Sequence, residues 1–178
     1  LMESGCVLIS QHADSMGAPS ACEAKGVPNV AYNGSTVDEC PNTFIVSSRI
    51  DWTPYFVYMI NCVIDGKAID ADWTGTLATG SVVLTDINEK AAAEGTQAKI
   101  DEVKKQLEDG SLKVFDTSKF TVGGKTLDSY LADVDDMGDY VGETEAVKDG
   151  YFHESEYRSA PYFNVEIDGI TRLDKAEK

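Results

Sequence analysis

Basic residues are scarce in this chain: 15 Lys and Arg stand against 31 Asp and Glu, a formal net charge of -16. Without a compensating basic stripe, phosphate backbones and anionic lipid surfaces repel it, which argues against nucleic acid as a partner and against direct adsorption to a membrane. The acidity is spread through the chain and reads as solvated faces. Histidine occurs only as His12 and His153, and the cysteines Cys6, Cys22, Cys40 and Cys62 form no C-x-x-C pair and have no His at ligand spacing. No zinc site or redox motif is signalled, so the cysteines are expected as small buried hydrophobes. Also missing are a Ser/His/Asp set, a G-x-S-x-G elbow, a phosphate-binding Gly loop and a metal constellation, so neither an enzyme nor a cofactor is expected. No apolar run is long enough to span a bilayer or to form the core of a signal peptide. Ser4-Gly5-Cys6 looks like the end of a lipoprotein cleavage site, but Glu3 stands where an apolar residue belongs. Cys6 is therefore read as the start of a buried strand.

What is present suffices for one folded unit: 178 residues with 42% hydrophobic content can bury an ordinary core. Cys6 to Ser10 is a short apolar run ending in polar Gln11-His12-Ala13-Asp14-Ser15, the pattern of a parallel strand buried on both faces. A helix over Ala18 to Lys25 with Gly26 as its cap, then a second apolar run from Val27 to Tyr32 ending in Asn33-Gly34-Ser35, completes a βαβ unit. With right-handed crossover, both polar loops emerge at the carboxyl edge of the sheet, where open α/β sheets bind ligands. Thr43 to Ser48 predicts a third strand, followed by Arg49-Ile50-Asp51-Trp52 and an apolar helix from Pro54 to Asp65, with Thr53 as N-cap. That helix is apolar nearly all round and is expected to be buried on more than one side.

Further on, Ser81 to Thr85 reads as a strand and Thr96 to Glu108 as a surface helix closed by Gly110. Short β pieces are expected around Gly123-Gly124, and a hairpin of Phe163 to Ile167 with Ile170 to Leu173 across Asp168-Gly169. The acidic stretch from Asp133 to Glu156 predicts irregular helix and loop. Its Asp133-Val134-Asp135-Asp136 lacks the Gly and distal Glu of a calcium loop, so solvated acidity is preferred. Leu1 to Gly5 looks like the tail of a helix entering a strand, as if the chain were part of a larger protein.

Ile9 to Ser15, then Glu23-Ala24-Lys25-Gly26-Val27, then Trp52-Thr53-Pro54-Tyr55, then Leu107 to Phe115 resemble, in order and over roughly positions 1 to 130, the landmarks of the basic membrane lipoprotein (BMP) family of substrate-binding proteins. The family carries a Q-H-T-D-S loop, an E-x-K-G-V turn, a W-G-P-Y-Y crossover and a D-G-x-L-x-V-F signature. The resemblance implies an α/β, type I periplasmic-binding-protein-like three-layer sandwich with a parallel sheet, mainly its second lobe. Residues 1–130 then hold second-lobe and crossover segments, and 131–178 form an acidic extension with a hairpin. It implies a solute-binding role for an ABC importer: a purine nucleoside or nucleobase held between two lobes that close like a hinge. The partners implied are that ligand and an ABC permease; the localisation is extracytoplasmic, with a lipid anchor outside this chain as the one membrane link. Asn33 where the family often has Asp, and Thr53 in place of Gly, depart from its pattern and put the ligand's identity in doubt.

Five residues are the candidate ligand contacts. His12 and Asp14 follow the first strand, where an imidazole and a carboxylate can bond a base edge or sugar hydroxyls; the competing reading is a capped loop with Asp14 or Ser15 as N-cap. Asn33 offers a donor and an acceptor, against a simple Asn-Gly turn. Arg49 and Trp52 lie on the predicted crossing, Arg49 for hydroxyls or an anion and Trp52 for stacking or hinge packing. Trp73, Tyr151, Phe152, Tyr157, Tyr162 and Phe163 are expected as core or edge packing. Two other functions compete: a sensory domain with the same lobes, and an enzyme using His12 and Asp14 as acid and base, which lacks a nucleophile beside them.

Overall fold

The computed structural model describes residues 1–134, 141–154, 156 and 165–171. The chain divides into two compact units, Leu1–Ser111 and Leu112–Lys178.

The first unit is mixed α/β. Strands β1 (Ile9–Ser10), β2 (Asn29–Tyr32), β3 (Phe44–Ile50) and β4 (Val82–Leu84) form one sheet in that order, with helices α1 (Gly17–Lys25), α2 (Thr53–Ile64) and α3 (Thr96–Glu108) between and after them. β1 pairs parallel with β2, and β2 parallel with β3, as the alternation of apolar runs and polar loops predicts. β4 extends this parallel set in the antiparallel sense, with Ile50 opposite Val82 and Ser48 opposite Leu84. Gly26 closes α1 in the left-handed conformation, its N–H reaching back to the Cys22 and Glu23 carbonyls.

Where the strands begin, polar groups are tied together rather than left in the core. Asn29 and Thr43 are buried, and the Asn29 amide donates to Thr43 Oγ1 at 3.1 Å. The Thr43 hydroxyl donates in turn to Glu23 at 2.7 Å, and the Glu23 carboxylate also accepts from the backbone and side-chain amides of Asn42. These bonds, led by that from Thr43, hold the Glu23 carboxyl below its ordinary range. Beside them Ala31, Cys40 and Phe44 make an apolar cluster with Val37 packed on it.

Several expectations change. The first strand starts at Ile9, not Cys6: Cys6, Val7 and Leu8 are exposed, because the chain up to Cys6 folds back through a turn at Gly5 and Cys6 N–H bonds the Leu1 carbonyl. Cys22, Cys40 and Cys62 are the buried cysteines, and all four are free thiols. Thr53 does not cap α2; Asp51 Oδ1 accepts from the Thr53 N–H at 2.9 Å instead. Nor is α2 buried on several sides, for Phe56, Val57, Ile60, Val63 and Ile64 are all half or more exposed, and Cys62 is its one buried residue. What fastens α2 is the loop after it: Trp73 packs on Tyr55 and Tyr58, and the Tyr58 hydroxyl donates to Asp70 at 2.6 Å.

The second unit is built from short antiparallel pairs, β5 (Leu131–Ala132) with β6 (Thr144–Glu145) and β7 (Val147–Lys148) with β8 (Tyr151–Phe152). Ala132, Ala146, Val147 and Phe152 form its core, against Leu127, Tyr130 and Val134. Over the described residues 141–154 these pairs stand where irregular helix and loop were expected; 135–140 lie outside the described residues. Asp133, expected in water, is buried; Asp135 and Asp136 lie outside the described residues. The tight turn falls at Asp149-Gly150, both with positive φ, the geometry that twists two strands into a hairpin. At Asp168-Gly169 the described residues form a turn without a ladder, and the Asp168 carboxylate accepts from Thr121 Oγ1 and the Gly123 and Gly124 N–H groups. The rest of the hairpin expected there, like Tyr157, Tyr162 and Phe163, lies outside the described residues. Phe152 is core, as expected, and Tyr151 stacks on His153.

Candidate functional site

The parallel pairing of β1, β2 and β3 sends the loops after them to one edge of the sheet. β1 passes into this rim with the Gln11 N–H still bonded to the Val30 carbonyl, and β2 with the Asn33 N–H bonded to the Ser48 carbonyl at 2.8 Å. The two polar loops are thus pinned to neighbouring strands as they leave the sheet, which fixes where their side chains start.

Those side chains meet. His12 stacks on Tyr32, with ring centroids 5.3 Å apart and planes 27° from parallel. Asn33 stands in the left-handed region, φ 65°, a conformation Asn tolerates because its short side chain bonds locally. From there its amide donates to Asp14 Oδ1 at 3.2 Å, so the loop after β2 is laced to the loop after β1. Asp14 is not the cap of α1; the residue at that position is Met16, and the Ser15 hydroxyl accepts from the Gly17 N–H.

Polar capacity at this rim is left over. Among the described residues His12 has the Tyr32 ring as its one contact of this kind and no hydrogen bond at either ring nitrogen, and Asp14 bonds only Asn33. The Gln11 side-chain oxygen is buried without a hydrogen-bond partner. An exposed imidazole with both nitrogens open, a carboxylate with one oxygen open, and a ring face behind the imidazole suit a flat ligand carrying N–H groups and lone pairs on its edge.

Arg49 lies within β3, opposite Val83 of β4, and Trp52 stands just before α2; neither is joined to this group by a hydrogen bond or ring contact among the described residues. Tyr32 pairs in register with Ser48, so those two project from one sheet face and Arg49 from the other. The Arg49 guanidinium lies 3.9 Å from Asp51, whose carboxyl is held low chiefly by its bond from Thr53. Trp52 is 57% exposed and touches Tyr55 and Phe56 at the start of α2. Tyr32 is the member that sequence reasoning passed over; its signal is an aromatic residue at the last strand position before Asn33. Among the described residues no group of three or more His, Cys, Asp or Glu side chains is placed to hold a metal ion, and no helix is long and apolar enough to cross a membrane.

No family model matches the chain. It is similar to a purine-binding protein of Brucella abortus (strain 2308), 25% identical over 150 residues that cover 76% of this chain and 43% of that protein. The chain therefore spans less than half the length of this curated relative.

Proposed function

We propose that this chain is the ligand-contacting lobe of an extracytoplasmic solute-binding protein that takes a purine base or purine nucleoside between two lobes and hands it to an ABC permease. The observation that carries the reading is the lacing of two polar loops at one rim of a parallel sheet, with His12 backed by Tyr32 and Asp14 tied to Asn33. A flat heterocycle with alternating donors and acceptors uses an open imidazole and an open carboxylate oxygen more fully than an aliphatic solute does. The likeness to a purine-binding protein supports the same ligand class.

Two further features favour binding without chemistry between two lobes. His12 and Asp14 have no candidate nucleophile hydrogen-bonded to them among the described residues. The apolar face of α2, from Phe56 to Ile64, is open on this chain and suits cover by the part of a longer protein that this chain does not include. Arg49 and Trp52, on the chain leading into α2, would then lie at the seam between lobes and serve ligand contact or closure.

The test is titration calorimetry of the natural polypeptide carrying this chain with adenine, hypoxanthine and guanosine, with glucose as the control. One-to-one binding of a purine, recovered chemically unaltered, is the expected result. Conversion of the purine to a product, or heat with glucose alone, refutes the proposal.

A further inference from the structure

We propose that Tyr32 is the positioning residue of this site: its ring backs the His12 imidazole, so that both imidazole nitrogens are held in place to meet the edge of a planar heterocycle beside the open oxygen of Asp14. The inference rests on the functional reading above and adds to it the residue that makes the rim rigid.

Three observations carry it. His12 is exposed and sits in a loop, yet its ring lies face to face with Tyr32 in the offset geometry that aromatic pairs prefer, and among the described residues no hydrogen bond holds it. An imidazole on a loop would otherwise sample several rotamers, and freezing it would fall to the ligand as a cost of binding. Tyr32 is the last residue of β2, half-buried and in register with Ser48, so it is anchored to the sheet and not to the loop it supports. The Asn33 bond to Asp14 immobilises the neighbouring acceptor in the same way, from the next residue of the same strand end. One strand terminus thus fixes both members of the His12/Asp14 pair. The Tyr32 hydroxyl has no hydrogen-bond partner among the described residues, so the ring and not the phenol does this.

The experiment uses the natural polypeptide with Y32F, Y32L and H12A substitutions and the H12A/Y32L double variant; Y32V, which keeps strand preference, stands in if Y32L misfolds. The His12 ring protons are assigned by their loss in H12A. In the wild type and Y32F those protons are displaced upfield by the aromatic ring behind them, and in Y32L they return to the ordinary position. Y32L weakens purine binding about threefold to about tenfold, the cost of ordering one side chain, and Y32F stays within about twofold of wild type. In the H12A background Y32L adds nothing, because Tyr32 acts through His12. The proposal is overturned if Y32L leaves the His12 protons unmoved, or if its penalty persists in full without His12. A wild-type protein that binds no purine refutes the functional reading, and the proton shifts then still decide whether Tyr32 fixes His12.

Discussion

Thr43 has two hydrogen-bonding duties and no access to water: it donates to Glu23 and accepts from Asn29, and it is 2% exposed. Replacing it by Val keeps the shape but strands the Asn29 amide in the core and removes a donor from Glu23. T43V is expected to lower unfolding stability by about 1–3 kcal/mol in urea denaturation, and T43S to recover most of it. The pH dependence follows from Glu23, whose carboxyl is held below its ordinary range in the folded chain. Its stabilisation is present above the unfolded value of about 4.3 and is lost as pH falls through the lower folded value. T43V should therefore flatten the acid limb of the stability curve. At this scale the sequence is only partly legible. Glu23 stands out in its E-x-K-G-V turn, but its partners Asn42 and Thr43 lie 19 and 20 residues away, and no local pattern names them. Tyr32 was missed for the same reason: a stacking partner 20 positions back along the chain leaves no mark on periodicity.

At the scale of elements, α2 shows how a helix foretold by its residues can sit in an environment they do not foretell. Its span follows from Pro54 at the first turn and the apolar run after it, yet its apolar faces stay open and its tie is the loop that carries Asp70 and Trp73. The Tyr58 phenol, donating to Asp70, is pushed up to about 12. This contact stabilises the fold below the unfolded phenol value of about 10, and that contribution fades as pH rises through the folded value. A pH-jump absorbance titration, read before unfolding, should show a late-ionising phenol that is absent in Y58F and moved down toward the ordinary range in D70N. Hairpins teach a related lesson. Asp149-Gly150 and Asp168-Gly169 carry the same turn signal, and the sequence offers no ground for preferring either. The first makes a ladder, while at the second the described residues form a turn whose Asp168 carboxylate is held by Thr121 and the Gly123-Gly124 turn, partners more than 40 positions away that no local pattern names.

For the whole molecule, the α/β class and the parallel order of the first three strands were legible because buried parallel strands, polar loops and a Gly-capped helix recur in fixed succession. The exposure of α2 was not, since it depends on what surrounds the helix. I60Q and I64Q change positions 58% and 74% exposed, so in this chain they should alter unfolding stability by no more than about 0.5 kcal/mol. In the natural polypeptide, if a second lobe covers that face, the same pair should cost several times as much, and comparing the two denaturation midpoints decides it. A last consequence lies in how β3 and β4 meet. The chain leaves the sheet after Ile50 and returns at Val82 directly opposite, with the Asp51 N–H bonded to the Ser81 carbonyl. Residues 52–80 are therefore a cassette on a two-stranded neck. Exchange of that cassette between related proteins would alter whatever docks on it while the rim bearing His12 and Asp14 keeps its own scaffold.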